Sequence, residues 1–284
     1  LGAVSFQNNS NQLPFLAAII FAIHPLNTQA VTYISSRSSI MATIFYLAAI
    51  ILFFKGLYKA KEKDIKKNYF YVGTAVILFG IGFLCKLIII SIPAILFLYH
   101  YYFISEKNIK TWVKGQWKLI LGTGGILILV ISYKTISGDG LLRASVVDVT
   151  TWDYFRTQIG VIPFEYFRKL IFPFNLTIDS GFKLIQHWRS PIAIGGIIFL
   201  GIFLTLWLKL SEVKKQSKKY CLEAFGLIWI LITLSPTSSF VPLLDVSVEH
   251  RTYLPLVGFS LILASILIRF KIFIQQSTEV NTLN

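Results

Sequence analysis

Long stretches without a single Asp, Glu, Lys or Arg constrain this chain more than any other feature. Residues 71–85, 87–104 and 192–208 are of this kind. Each approaches the roughly twenty residues that a helix needs to cross a bilayer. In hydrocarbon, every backbone N–H and C=O must be satisfied within the protein, which a helix does on its own. The composition agrees. Hydrophobic residues make up 55%, charged residues 14%, and the mean hydropathy is +0.68. A soluble domain carries about a quarter charged residues, so this chain lacks the polar surface for water. The reading is an all-α, polytopic transmembrane bundle of about eight spans. They are expected at 13–33, 39–54, 69–85, 87–104, 117–133, 192–208, 222–240 and 253–270. Intrinsic disorder is excluded for most of the chain. Two cysteines do not make a disulfide scaffold, and Cys85 and Cys221, both at the ends of apolar runs, read as packed thiols.

The net charge is +14, from 27 basic and 13 acidic side chains. In a soluble protein that would raise nucleic acid as a partner, but here the charge sits in loops. Lys55, Lys59, Lys61, Lys63, Lys66 and Lys67 follow the second run, and Lys107, Lys110, Lys114 and Lys118 follow the fourth. Lys209, Lys214, Lys215, Lys218 and Lys219 follow the sixth, and Arg269 and Lys271 the eighth. With eight spans all of these fall on one side, the cytoplasmic one by the positive-inside rule, and no nucleic acid is called for. The outer face then receives the turn at 35–38, the hairpin at Lys86, the segment 134–191 and the loop 236–252. Residues 151–172 read as one or two amphipathic helices lying in the interface, broken at Pro163. Trp112, Trp117, Trp152 and Trp188 sit near the expected boundaries, as interfacial anchors do. There is no phosphate-cradling P-loop, zinc-ligand spacing or nucleophile elbow. Gly122 to Gly125 and Gly195-Gly196 read as close helix packing.

Four constellations share the outer face. His24, Asn27 and Gln29 are costly inside a span unless they face protein or a wet site; they serve either as interhelical hydrogen bonds around Pro25 or as substrate contacts. Lys86 either snorkels to the headgroups or pairs with a phosphate. With Arg37 and Arg251 expected at the same depth, three cations would suit a phosphate or diphosphate. The run Tyr154-Phe155-Arg156-Thr157-Gln158, with Glu165, Tyr166, Arg168, Pro173, Asn175 and Asp179, is either a further part of the site or a membrane-surface segment. The last constellation runs from Pro236 through Asp245 to Glu249-His250-Arg251 and Tyr253-Leu254-Pro255. There Glu249 is placed to deprotonate a hydroxyl, His250 to relay a proton and Arg251 to hold an anionic leaving group; alternatively a Glu–Arg pair fixes the loop.

Together these stretches resemble the integral-membrane glycosyltransferases of the GT-C superfamily. They are most similar to the TMTC-type O-mannosyltransferases, which carry C-terminal tetratricopeptide repeats. The resemblance rests on His24-Pro25 with Ala30-Val31 and Arg37, and on Lys86 with Pro93 and Tyr99. It continues in Thr157-Gln158 with Tyr166, Pro173, Asn175-Leu176 and Asp179, and in Glu249-His250-Arg251 with Tyr253-Leu254-Pro255. It implies an enzyme that moves a sugar from a polyprenyl-phosphate carrier to an acceptor, protein Ser/Thr or glycan, on the extracytoplasmic face. In that frame Arg251, Lys86, Arg37 and His24 bind the donor, with Asp245 and Asp179 beside them, and Glu249 and His250 act on acceptor or sugar. Neither metal nor cofactor is implied; the lipid-linked sugar is a substrate. The chain departs from the family at Asn27 and Gln29, where His and Glu are usual, and at Leu87, where an acidic residue is usual. The family's acidic motif, with the main catalytic base, is expected upstream of Leu1, and the repeats after Asn284. On that reading the chain is a fragment, incomplete and inactive alone. Residues 1–272 would be the transmembrane GT-C-like domain, with 134–191 as its outer loop and 273–284 as a linker. The rival functions are a noncatalytic membrane anchor for a repeat domain and a lipid-linked-sugar transporter or flippase. Abundant Lys and Ile point to a prokaryotic plasma membrane ahead of the endoplasmic reticulum.

Overall fold

A computed structural model describes residues 12–58, 65–104, 125, 149–212, 220–240, 242–243 and 245–282. Among these the regular elements are all helical. Helix α1 covers Gln12–Ile23 and α2 Asn27–Thr32; a 3₁₀ turn, Ile34–Ser36, leads into α3, Arg37–Tyr58. Helix α4 is Ile65–Cys85; after Lys86 a 3₁₀ turn, Leu87–Ser91, opens α5, Ile92–Tyr99, which widens into a π-turn at His100–Ile104. Helix α6, Thr151–Val161, passes through a π-turn, Ile162–Phe167, into α7, Arg168–Ile171. Helices α8, Pro191–Glu212, α9, Cys221–Leu234, and α10, Pro255–Thr282, complete the order, with a 3₁₀ turn at Glu249–Thr252 before the last.

Among the described residues, four helices are long and apolar enough to cross a membrane: Ile34–Gly56, Asn68–Cys85, Pro191–Ser211 and Pro255–Gln275. This is a multi-pass membrane protein. Shorter apolar helices lie at Gln12–Ile23, Leu87–Phe103 and Cys221–Leu234. The expected span at 117–133, the basic residues Lys59, Lys61, Lys63, Lys107, Lys110, Lys114, Lys118, Lys214, Lys215, Lys218 and Lys219, and residues 134–148 of the outer loop lie outside the described residues.

Two expectations are corrected. The run 13–33 is not one helix. Pro25 has no N–H to give the preceding turn, and the residue before a proline avoids the α region; α1 therefore stops at Ile23, and α2 begins four residues later. Residues 151–171 are not broken at Pro163, and one face of them packs into the bundle. The helix absorbs the missing N–H by widening into the π-turn, and Tyr154, Thr157, Gln158, Tyr166 and Lys169 are all buried. Pro163 offers no N–H to the Ile159 carbonyl, and Gly196 lets α8 lie against that same carbonyl, where a Cβ would collide. A capping interaction starts α6: the Thr150 hydroxyl oxygen accepts from the Asp153 amide at 3.1 Å.

The α3–α4 pair carries one core. Ala42, Tyr46, Ala49 and Phe53 stripe α3 against Ala75, Phe79 and Phe83 of α4, with Ile89, Ile92 and Leu96 closing the face. A second core joins Leu26, Tyr166, Phe167 and Leu170 to Phe203, Ile230, Leu234 and Leu256. Helices α9 and α10 touch backbone to backbone where Gly226 meets Gly258. On α8, Ile194, Ile197, Ile198 and Ile202 remain exposed, as side chains facing lipid do.

Candidate active site

The start of α3, the end of α4, the end of α9 and the start of α10 converge at one end of the bundle, with α6 lying across them. The residues near Arg251 follow from local backbone rules. After extended Val248 (φ −137°, ψ 138°) the chain makes one 3₁₀ turn, Glu249–Thr252, and Pro255 then starts α10 with its φ already helical. Consecutive side chains of a 3₁₀ turn point about 120° apart. Glu249, His250 and Arg251 therefore reach three different neighbours instead of forming one network.

Arg251 points toward α6 and the loop after α9. Its Nη1 donates to the Tyr154 hydroxyl at 3.2 Å and to the Thr237 and Val246 carbonyls at 3.3 Å each. Its Nη2 donates to the Asp245 carbonyl at 2.5 Å. It is 4% exposed, and among the described residues no carboxylate pairs with it. A guanidinium stays charged at any physiological pH, so this is a buried, unneutralised positive charge. Lys86 sits in extended backbone (φ −162°) between α4 and the next 3₁₀ turn. Its Nζ meets the Ser39 hydroxyl, one turn into α3, at 2.5 Å. Burial, helped by the charge on Arg251 and partly offset by Asp245, pushes the Lys86 ammonium down to about 7. His250 faces the 3₁₀ turn before α3, where its Nδ1 lies 3.1 Å from the Ser36 hydroxyl. Burial and the charges of Lys86 and Arg251 hold it down to about 3, so its ring is neutral at pH 7. Asp245 is exposed and acts on Lys86 beyond ion-pair reach. Among the described residues no three His, Cys, Asp or Glu side chains gather as a metal-binding group.

Two basic side chains from distant parts of the chain face one another's field, two hydroxyls and a neutral imidazole lie beside them, and one exposed carboxylate is near.

Three curated relatives align with most of the chain. Protein O-mannosyl-transferase TMTC4 of Homo sapiens is 23% identical over 280 residues, covering 87% of this chain and 37% of its own length. Protein O-mannosyl-transferase TMTC3 of Homo sapiens is 25% identical over 284 residues, 89% of this chain and 30% of its own. Protein O-mannosyl-transferase F38B6.6 of Caenorhabditis elegans is 23% identical over 267 residues, 89% and 34% respectively. The chain is a distant homologue of the TMTC protein O-mannosyl-transferases. It spans about a third of the length of these TMTC relatives. No family model matches it, and no solved structure does.

Of the residues that carry the TMTC resemblance, Lys86, His250 and Arg251 lie at this end of the bundle. His24 and Asp179 hold backbone instead, as do Asn27 and Gln29, where the chain departs from the family. His24 uses both ring nitrogens: Nδ1 accepts from the Leu26 amide at 3.3 Å, and Nε2 lies 3.1 Å from the Leu170 carbonyl. Asn27 donates to the Phe21 carbonyl. Gln29 works from both ends of its amide: Oε1 accepts from the His250 N–H at 2.7 Å, and Nε2 donates to the Ile178 carbonyl at 2.7 Å. A carboxylate at position 29 would keep the first bond and lose the second. Asp179 is exposed, and its Oδ1 accepts from the Gly181 amide at 3.0 Å, closing a turn at a glycine with φ +59°. Arg37 lies in the chain between Ser36 and Ser39, yet its side chain is exposed and outside the buried cluster.

Glu249 is 4% exposed and pairs with Lys169, not with an arginine. Its Oε1 is 3.0 Å from Lys169 Nζ and accepts from the Thr177 amide at 2.7 Å. Lys169, 3% exposed, also holds Glu165 at 2.7 Å. Of these partners, only the Glu165–Lys169 pair is legible as an i, i+4 spacing. Ser39, Tyr154, Gln29 and Thr177 carry no such signal, because each partner is far away in sequence.

Proposed function

We propose that the chain forms the membrane part of a glycosyltransferase with a GT-C-like bundle of about eight spans. It takes a sugar, mannose by analogy with the names of its relatives, from a polyprenyl-phosphate carrier. It delivers that sugar to a hydroxyl of a protein Ser/Thr or a glycan on the extracytoplasmic face of a prokaryotic plasma membrane. The observation that carries this reading is the alignment with O-mannosyl-transferases over most of the chain, beside two basic groups at one end of an apolar bundle, half-buried Lys86 on Ser39 and buried Arg251 on Tyr154, without an ion-pair partner among the described residues. The isoprenoid tail fits between helices whose exposed faces are apolar, while its phosphodiester meets the two cations. Arg37, exposed on the first turn of α3, is the third cation on the donor's approach. Asp245, exposed in the loop before the turn, and the neutral ring of His250 are the groups we assign to the sugar.

The test uses the full-length protein in membranes with radiolabelled polyprenyl-phosphate mannose. Wild type consumes the donor, and Lys86→Ala loses consumption while inserting normally. Absence of consumption by folded wild type, or full activity of Lys86→Ala, refutes the reading. One observation favours a noncatalytic anchor for a repeat domain instead: Glu249 is occupied by Lys169 and Thr177, and positions 27 and 29 are neutral amides. The same assay separates the two.

A further inference from the structure

The start of α6 builds an aromatic patch with two segments far from it in sequence. Phe155 stacks on Phe240 of the loop after α9, with ring centroids 4.1 Å apart and planes 8° from parallel. Trp152 meets Phe155 and Phe240 edge-on at 6.2 and 6.0 Å, and Trp188 meets Phe155 at 6.5 Å. Buried Arg156 fixes this geometry. Its Nη1 donates to Asp153 at 3.0 Å, to the Ile185 carbonyl at 3.3 Å and to the Gln186 carbonyl, and its guanidinium lies 5.1 Å from the centre of the Trp188 ring. The patch itself is open: Trp152 is 62% exposed, Phe240 48% and Trp188 42%. Large rings held together in the open mark a surface that something covers.

Helix α8 sets the depth of the patch. It is long and apolar enough to span from Pro191 to Ser211, and Trp188 precedes Pro191 by three residues. Helix α6 packs along the same first turns, with Gly160 against Ile192 and the Ile159 carbonyl against Gly196. At a rise of 1.5 Å per residue these contacts fall within about 8 Å of the start of the span. Exposed Ile192, Ile194 and Ile198 continue from there along α8. His187 and Arg189, both exposed, flank Trp188. Rings beside basic side chains at the end of a lipid-facing helix match the layer between hydrocarbon and water. There an indole buries its ring and keeps its N–H wet, and a cation meets lipid phosphate. A soluble partner fits less well, because it would have to cover the rings beside the lipid that surrounds Ile192 and Ile194.

We infer that Trp152, Phe155, Trp188 and Phe240 form a seat in the headgroup layer of the bilayer, with phospholipid as the partner. The other face of α6 sends the Tyr154 hydroxyl to Arg251 at 3.2 Å. The seat and the Arg251 contact therefore share one turn of helix, and the seat fixes how far Arg251 lies from the lipid phosphates. It stands whether or not the chain transfers a sugar.

The test places a nitroxide on the full-length protein in phosphatidylcholine–phosphatidylglycerol bilayers. The label enters through Trp152→Cys, Phe240→Cys or Ile198→Cys, in a background whose other cysteines, Cys85 and Cys221 among them, are alanine. Collision with oxygen and with a water-soluble nickel chelate reads its depth. Labels at positions 152 and 240 are expected within about 5–10 Å of the phosphate level. The label at position 198 is expected about 10 Å farther in than Pro191. Dominant nickel collisions at 152 and 240 would put the patch in water and overturn the seat. Low collision with both reagents would mean that protein covers it, a second copy or an acceptor, and would overturn the seat equally. Unlabelled protein guards against a patch disturbed by the label. Emission from Trp152, taken as wild type minus Trp152→Phe, should be quenched more strongly by lipids brominated near the glycerol than by lipids brominated near the chain end. Quenching by neither, or the reverse order, would refute the placement.

Discussion

Glu249→Gln tests whether the carboxylate of the Glu-His-Arg run holds the fold or performs chemistry. The structure gives Glu249 two partners, Lys169 at 3.0 Å and the Thr177 amide at 2.7 Å. Removing one member of a buried pair costs about 3–5 kcal/mol when its partner is left alone. Lys169 is not left alone, because Glu165 stays at 2.7 Å, and a glutamine still offers an oxygen to Thr177. The expected cost is therefore about 1–3 kcal/mol. Glu249→Ala also strips the Thr177 N–H of its acceptor, which raises the cost to about 3–5 kcal/mol. In detergent, thermal unfolding of the Gln variant should come a few degrees earlier than wild type, and that of the Ala variant earlier still. Limited proteolysis should open first at residues 172–182, whose anchor has gone. The pair itself is measured by a cycle with Lys169→Met. Because the two side chains touch, the double variant should lose at least about 0.5 kcal/mol less than the sum of the singles. Unchanged stability of Glu249→Gln, or strict additivity in the cycle, would refute the anchoring role.

Two further outcomes are expected. Gly258→Ala would bring a Cβ to 2.7 Å from the Gly226 carbonyl oxygen and 2.7 Å from Trp229, costing about 1–3 kcal/mol by forcing α9 from α10; Gly80→Ala, with no atom within 4 Å, should be neutral or stabilising, and equal effects in a thermal melt would sink this packing account. His250 is held at about 3 against an ordinary 6.5, so between those values the unfolded chain binds the extra proton and stability falls as pH drops. Melting temperature should therefore decline from pH 7 to pH 4, less steeply in His250→Gln, and parallel slopes would contradict the burial of that ring.

A bundle of apolar helices is legible in the sequence because a bilayer imposes length and charge-free composition locally, residue by residue. The four long helices therefore fall almost where hydropathy puts them, and Gly196 is legible as helix packing because only a missing Cβ admits a neighbouring backbone, here that of Ile159, whereas Gly125, which reads the same way, has no atom within 4 Å of a Cβ. The break at His24-Pro25 was marked by its proline and still read through, since apolar character continues across it. Of the site, the residue types were legible but not their roles. Lys86, His250 and Arg251 stand out as ionisable groups next to apolar runs, and tertiary structure brings them together. That Glu249 belongs to Lys169 and Thr177 could not be read from three adjacent letters, because the 3₁₀ turn sends neighbouring side chains in different directions. Gln29 shows the same limit: its two bonds, to His250 and Ile178, each cross more than a hundred residues. Hydrophobicity is a property of each residue and adds up along the chain. A hydrogen bond or ion pair needs two groups at a fixed separation and angle, and only the completed packing supplies those.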